Sequence, residues 1–309
     1  MAEDDTASTG LVVATHGRHC LVERPDGTRV LCHAKGKKNE TVVGDRVLWR
    51  ATGDEGVIVR VQERRNLFYR QDEVRTKSFA ANLDLVLVLI AAEPEFSEMQ
   101  LARALIAAEA ERIAPLIALN KSDLVEPFER AWARLLPYRH MGYGVLPLSL
   151  RRSSDTDRDH LLQHLHGKTT LVLGPSGAGK STLINLLVPQ AQALTGEISQ
   201  ALNSGKHTTT ATTWYWVDAQ RSTGLIDSPG FQEFGLHHIE PMQLAGLMPD
   251  LRPHVAECKF YNCTHLHEPG CGVIAAVAQA PGAPAGQIEP SRYRIYRTLF
   301  EELSEPPRY

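Results

Sequence analysis

The chain has 309 residues, 43% apolar and 22% charged, the proportions of a globular protein with room for two or three domains rather than of a fibrous or wholly disordered one. Its longest apolar run, residues 85–92, is too short to cross a bilayer as a helix, and the acidic start Met-Ala-Glu-Asp-Asp has no apolar stretch behind it, so no secretory signal is expected. The net charge of −3 conceals a contrast: residues 11–77 carry 14 Lys/Arg against 9 Asp/Glu, while residues 1–10 carry three acids and no base, so a basic N-terminal module precedes an acidic body.

In chain order, residues 11–14, 20–23, 29–32, 45–50 and 56–60 are short apolar or β-branched runs that read as strands. Pro25-Asp26-Gly27 and Gly53-Asp54 are turn signals between them. Five short strands predict a small barrel, and the oligonucleotide-binding fold (OB-fold) is the common barrel of that size. From about residue 80 the rhythm changes. Residues 83–90 form a continuous apolar run, as in a strand buried on both faces, and residues 97–113 show helical spacing through Leu101, Leu105 and Ala108. Strands at 115–119, 144–149, 169–173, 212–217 and 224–226 alternate with helices at 128–136 and 180–187, which predicts an α/β domain with a mainly parallel sheet. Beyond residue 240 the chain turns loop-rich, and a Pro/Gly/Ala stretch at 280–286 leads into an amphipathic helix at 291–303. The expected division is 1–70, 71–240 and 241–309.

The strongest motif is Gly174-Pro175-Ser176-Gly177-Ala178-Gly179-Lys180-Ser181, followed by Thr182. It matches the phosphate loop G-x-x-x-x-G-K-[ST] and sits between a predicted strand and a predicted helix, the context that gives the motif its meaning. Backbone N–H groups there would wrap a di- or triphosphate, Lys180 would meet the outer phosphates, and Ser181 would offer its hydroxyl to Mg²⁺. Asn120-Lys121-Ser122-Asp123 ends an apolar strand. A carboxylate at Asp123 would accept from both the ring N1–H and the exocyclic amine of guanine, whereas adenine would leave it unpaired. Asp227-Ser228-Pro229-Gly230 follows another strand, with Asp227 expected to reach Mg²⁺ through water and the Gly230 N–H to sense the γ-phosphate. Among Thr208, Thr209 and Thr210, one hydroxyl, taken to be that of Thr209, is expected to close over Mg²⁺ in the triphosphate state.

Common small GTPases run phosphate loop, threonine loop, D-x-x-G, then N-K-x-D. Here Asn120–Asp123 comes first, so the GTPase domain is circularly permuted; the loops still meet, because they all lie on one edge of the sheet. Three of the five cysteines fall in Cys258-x₄-Cys263-x-His265-x₅-Cys271, a set of three thiolates and an imidazole suited to a closed, structural zinc site, with His254 and His267 as rival ligands. An odd cysteine count without an export signal argues for a reduced compartment rather than a disulfide framework.

The permuted order, the segment Gly205-Lys-His-Thr-Thr-Thr210, the segment Asp227-Ser-Pro-Gly-Phe-Gln-Glu-Phe-Gly-Leu236 and the cysteine cluster together resemble the ribosome small subunit-dependent GTPase A family, over essentially the whole chain. The resemblance implies an N-terminal OB-fold barrel, a permuted GTPase domain and a C-terminal zinc domain. It further implies a bacterial cytoplasmic protein, a monomer, that binds the 30S subunit and its 16S rRNA, acts late in subunit maturation, and hydrolyses GTP to GDP under stimulation by that subunit. It favours Cys258, Cys263, His265 and Cys271 as ligands of one structural Zn²⁺, places Ser149 at the family's base-contacting serine, and marks His207 as a catalytic candidate. The chain departs from common patterns at Leu150, where GTPases often carry Ala, and at Gly177, where some potassium-stimulated GTPases carry Asn; no potassium site is predicted.

The usual water-orienting Gln just after D-x-x-G is replaced by Phe231, with Gln232 one residue late, so slow intrinsic hydrolysis is expected. His207, in the threonine loop, is the internal candidate for holding the attacking water. Because the chain runs from residue 230 almost directly into the cysteine-bearing region, nucleotide-dependent movement of residues 230–240 would shift the zinc domain. Lys35, Lys37, Lys38, Arg46, Arg50, Arg64 and Arg65 are candidate RNA-phosphate contacts. The rival reading is a nucleotide-gated RNA-binding module with incidental hydrolysis.

Overall fold

The computed structural model describes residues 7–17, 19–34, 41–72, 75–152, 154–201, 212–229, 231 and 234–305. The roles expected of His207, Thr208, Thr209, Thr210, Gly230, Gln232, Lys35, Lys37 and Lys38 lie outside the described residues.

Strands β1 (Ser8–His16), β2 (His19–Glu23), β3 (Arg29–Ala34), β4 (Arg46–Thr52) and β5 (Glu55–Val61) form the expected barrel. They pair in the order β1-β2-β3-β5-β4, and β4 returns to β1 to close it. Alternation puts Val12, Cys20, Val22, Cys32, Val47, Trp49 and Ile58 inside. Asp45 is fully buried, and Arg64 grips it with Nε to Oδ1 at 2.7 Å and Nη2 to Oδ2 at 2.8 Å. Arg65 is held by Asp84 and by the carbonyl of Asn82, both at 2.8 Å. Arg64 therefore has a structural role, since a buried carboxylate requires a paired cation and Arg64 supplies it, whereas the Arg65 side chain stays 60% exposed.

A hairpin that the sequence did not announce follows: β6 (Leu67–Gln71) and β7 (Thr76–Ala81) pair only with each other among the named strands. Then come β8 (Leu85–Ala91), α1 (Glu98–Ala110), β9 (Ala114–Asn120), α2 (Val125–Arg134), α3 (Leu136–His140), β10 (Gly144–Pro147), α4 (Ser154–Leu165), β11 (Thr169–Leu173), α5 (Lys180–Leu187), α6 (Ala191–Ala201), β12 (Thr212–Trp216) and β13 (Gly224–Asp227). The helix expected at 128–136 is instead two helices broken at Leu135, because Pro137 has no N–H to continue the ladder and fits only in the first turn of a new helix.

The sheet order is β10-β9-β8-β11-β13-β12, with the first five strands parallel and β12 antiparallel to β13. Every residue of β8 is buried, and its two faces feed different cores. Val86, Val88 and Ile90 join residues of α1, α3 and the C-terminal helix, while Leu85, Leu87 and Leu89 join residues of α4 and α5. The barrel extends this sheet rather than sitting apart from it, since β1 pairs antiparallel with β12 at Ala14↔Thr213 and Thr15↔Thr212.

The C-terminal region holds a 3₁₀ turn (Pro241–Leu247), α7 (Arg252–Val255), α8 (Gly272–Ala276) and α9 (Pro290–Ser304). Helix α9 docks on the GTPase domain. Its Arg292, 2% exposed, pairs with Asp250 at 2.9 and 3.2 Å and lies 5.0 Å from the Tyr138 ring of α3. Arg103 of α1 pairs with Glu302 at 2.9 Å. No helix among the described residues is long and apolar enough to cross a membrane.

Candidate functional site

The loops after β9, β10, β11 and β13 open at the same edge of the parallel sheet, which brings motifs far apart in sequence together. The phosphate loop leaves β11 with two glycines that no other residue replaces. A Cβ on Gly174 would lie 2.5 Å from the Leu89 carbonyl, and one on Gly179 would lie 2.4 Å from Asn120 Nδ2, with Gly179 at φ +103°. Gly179 is also the N-cap of α5 and offers no side chain to the first-turn N–H groups, which are left for an anion. Ser181 is exposed in that first turn. Lys180 Nζ donates to Asp227 Oδ1, so the cation expected on phosphate and the carboxylate expected near Mg²⁺ meet at one point beside Ser181. A hydroxyl and a carboxylate are the kinds of donor that would hold a hard cation such as Mg²⁺.

Asn120, 5% exposed, ties two loops together. Its Nδ2 donates to Ala178 O at 2.9 Å, and its Oδ1 accepts from Leu150 N at 3.2 Å. Asp123 is oriented by the Ser149 hydroxyl, which donates to Oδ1 at 2.8 Å, while Arg152 Nε lies 3.5 Å from Oδ2. Leu150 therefore does not displace Ser149 from the Asp123 carboxylate. Lys121 Nζ donates to the Glu93 carbonyl. The sequence reading missed Asp157, whose Oδ2 accepts from Ser149 N at 2.6 Å and so anchors the serine loop; burial raises its pKa despite that bond. Only its place in the first turn of α4 hinted at this role.

After β13, Phe231 is 4% exposed and packs in an aromatic cluster with Phe234, Phe68 and Phe79. Its side chain anchors the loop to the β6–β7 hairpin rather than facing a water. On the other side, Thr212 and Ser228 hydroxyls bond at 2.8 Å, fixing the start of β12 to the Asp227 loop.

With this geometry stands a family match. The sequence model of the RsgA GTPase family matches residues 61–237. The chain belongs to the RsgA GTPase family. It is a GTP hydrolase with a circularly permuted GTPase domain. It is similar to the "Small ribosomal subunit biogenesis GTPase RsgA" of Variovorax paradoxus, 75% identical over 296 residues, covering 96% of this chain and 92% of that protein. The protein of the same name from Paraburkholderia xenovorans is 51% identical over 309 residues, covering 98% and 96%. Among solved structures, YloQ, described as a circularly permuted GTPase, aligns over the full length of both chains with a TM-score of 0.71 at 27% identity. YjeQ from Thermotoga maritima aligns over 97% and 99% with a TM-score of 0.71 at 29% identity.

A second site lies in the C-terminal region. One ligand atom from each of Cys258, Cys263, His265 and Cys271 lies within 4.8 Å of the others. Cys258 Sγ is 3.8 Å from Cys271 Sγ, and His265 Nδ1 is 3.4 Å from both. A tetrahedral site with metal–sulfur bonds of about 2.3 Å and metal–nitrogen bonds of about 2.0 Å has edges of about 3.8 Å between sulfurs and about 3.5 Å between sulfur and nitrogen. The residues thus fit a metal ion, and they include His265 rather than His254 or His267. Glu268 shapes the loop by accepting from Thr264 N and Oγ1 at 2.8 and 2.6 Å. Burial pushes the Cys263 thiol up to about 12, so a cation is needed to hold it as thiolate. Tyr293 and Tyr296 of α9 donate to the carbonyls of His265 and Thr264 at 2.8 and 2.7 Å, tying the metal loop to the helix that docks on the GTPase domain.

Proposed function

We propose that the chain acts on the small ribosomal subunit late in its maturation, hydrolysing GTP to GDP and phosphate when the 30S particle engages it, as a cytoplasmic monomer. The observation that carries this reading is the convergence of Lys180, Asp227, Asn120 and Asp123 at one sheet edge in a chain 75% identical to a protein named for small-subunit biogenesis. In this reading the N–H groups of Gly174, Ser176, Gly177, Ala178 and Gly179, with Pro175 shaping the turn between them and with Lys180 and Thr182, hold phosphates. Asp123, oriented by Ser149, reads guanine, with Asn120 and Lys121 shaping its loop. Ser181, Asp227 and Thr209 hold Mg²⁺, whose bound charge would offset that developing on the phosphates. Gly230 meets the γ-phosphate, and His207 orients water. The four-ligand cluster takes one structural Zn²⁺, and the barrel meets 16S rRNA through Arg46, Arg50 and the lysines at 35, 37 and 38.

Phe231 specifically favours a second reading, a nucleotide-gated RNA-binding module: it is buried at the position where many GTPases place the water-orienting Gln. GTP turnover with and without purified 30S subunits separates the two. Strong stimulation supports the enzyme, and nucleotide-dependent subunit binding without stimulation supports the module.

A further inference from the structure

We propose a further metal site on the outer face of the barrel, built by His16, His19, His33 and Glu55 and suited to a divalent transition ion such as Zn²⁺. It shares no residue with the nucleotide loops or with the cysteine cluster. Strand register assembles it. His16 of β1 lies opposite His19 of β2, and His19 lies opposite His33 of β3. Residues opposite each other in an antiparallel pair project from the same face, with Cβ atoms about 4.5–5.5 Å apart. Cys20 and Cys32, adjacent in sequence to His19 and His33, point into the barrel core, so the histidines point out. Glu55 opens β5, which runs parallel beside β3, and its Oε2 meets His33 Nε2. Three imidazoles and a carboxylate thus stand in one row across four neighbouring strands.

The spacing fits shared coordination. An imidazole nitrogen lies about 1.15 Å from its ring centre, so two rings bound to one ion through bonds of about 2.0–2.1 Å, at an angle of about 90–110°, hold their centres about 4.5–5.3 Å apart. The ring centres of His19 and His33 are 4.7 Å apart, with their planes inclined at 64°. Glu55 already touches the His33 nitrogen, where an ion would take the place of the proton the two groups share. The His33 and Glu55 side chains are 37% and 48% exposed, and His16 and His19 are half-buried. An ion can therefore enter from solvent, and side chains at such a surface change rotamer freely enough to close around it.

The donors set the class of ion. Imidazole and carboxylate suit Zn²⁺ and its neighbours Cu²⁺ and Ni²⁺, whereas the alkaline-earth ions prefer oxygen throughout. A surface ion pair contributes little by itself, and the His33–Glu55 contact accounts for neither of the two histidines beside it. The site also differs in kind from the cysteine cluster, where Cys263, His265 and Cys271 are buried. Here the ligands face solvent, so the ion exchanges. Its occupancy would tie β1, β2, β3 and β5 together at one end of the barrel. Thr15, next to His16, pairs with Thr212 of β12, so the tie falls where the barrel joins the nucleotide domain's sheet.

The test titrates the full-length protein with Zn²⁺ alone, by calorimetry. The protein is first brought to one equivalent of Zn²⁺, the amount the cysteine cluster takes, and checked by metal analysis. One further ion should then bind. His19→Ala and His33→Ala should each weaken that second binding by at least about tenfold, since even an outer-shell partner of a metal ligand is worth about that much. The first equivalent should stay in place after dialysis, and GDP binding, in which these residues take no part, reports that each variant is folded. Should a strand histidine variant fail to fold, Glu55→Gln, at an exposed position, carries the same measurement and should also weaken the second ion. Absence of any uptake beyond the first equivalent overturns the proposal. So does a second ion held equally well by the wild type and the variants. So does one lost instead in His160→Ala, whose neighbour His164 lies one turn on along α4 and offers the rival pair of exposed imidazoles.

Discussion

Asn120→Ala is the substitution most revealing about how the nucleotide site is held together. The wild-type side chain is buried and makes two bonds, one to the phosphate loop at Ala178 O and one to the base-side loop at Leu150 N. Alanine leaves a carbonyl and an N–H in residues that are themselves 1% and 4% exposed. An unmade buried hydrogen bond costs about 1–3 kcal/mol, and a water fitting the vacated amide volume would hold the pair near the lower half of that range, about 2–4 kcal/mol in total. At about 2–4 °C per kcal/mol for a domain of this size, the melting temperature should drop by about 4–16 °C. Because the bridge lies between the loops proposed to hold phosphate and base, GDP and GTP affinities should fall together, about tenfold or more. Thermal unfolding by circular dichroism and titration with a fluorescent nucleotide read the two effects. A melting temperature unmoved within about 1 °C, with affinity unchanged, would refute the idea that one amide braces both loops.

Two other outcomes follow from the geometry. Burial, with His237 adding to it, holds the His238 imidazole down to about 4. A histidine with a lowered folded pKa stabilises above its unfolded value, near 6.5, and that contribution is lost as pH falls from about 6.5 towards about 4. Acid should therefore loosen the contact of Tyr69 with His238, and a His238→Phe protein should show a flatter stability profile over that window by chemical denaturation. In the metal loop, stripping the ion with a chelator should open three cysteines to iodoacetamide and weaken the anchoring of α9. Cys20 and Cys32 stay closed, because burial shields them and pushes their thiols up to about 12 and about 11. Mass spectrometry of the native protein should count three adducts after chelation, and five would contradict the packing of the barrel.

Much of this arrangement was legible in the residues. The phosphate loop, Asn120–Asp123 and Asp227 announce themselves because each chemistry needs particular residue types at short fixed spacing, and the β8 run Leu85–Ala91 announces its burial by lacking any polar face. The metal ligands were readable for the same reason. What the sequence hid depends on partners far along the chain. The hairpin around Leu67–Gln71 and Thr76–Ala81 carries Arg, Gln, Lys and Ser between its aromatic residues, and its apolar positions are explained only by Phe231 and Phe234, over 150 residues later. Asp157 acts on a backbone group, which leaves no mark in the identity of the residue it holds. Phe231 was visible as the wrong residue for orienting water, but its role as an anchor emerges only once the hairpin is in place.

The pairing of β1 with β12 has a consequence for biosynthesis. Strand β1 completes its barrel with β2 and β4, which emerge from the ribosome soon after it. Its remaining edge waits for Thr212 and Thr213, about two thirds of the way along the chain. The barrel can close early as a local unit, whereas the nucleotide-binding sheet needs β11 and β13, made after β8 and β9, to fill its middle. A nascent chain stopped before β12 should thus hold a folded barrel with an open strand edge, ready to pair wrongly with another copy until the remaining strands arrive.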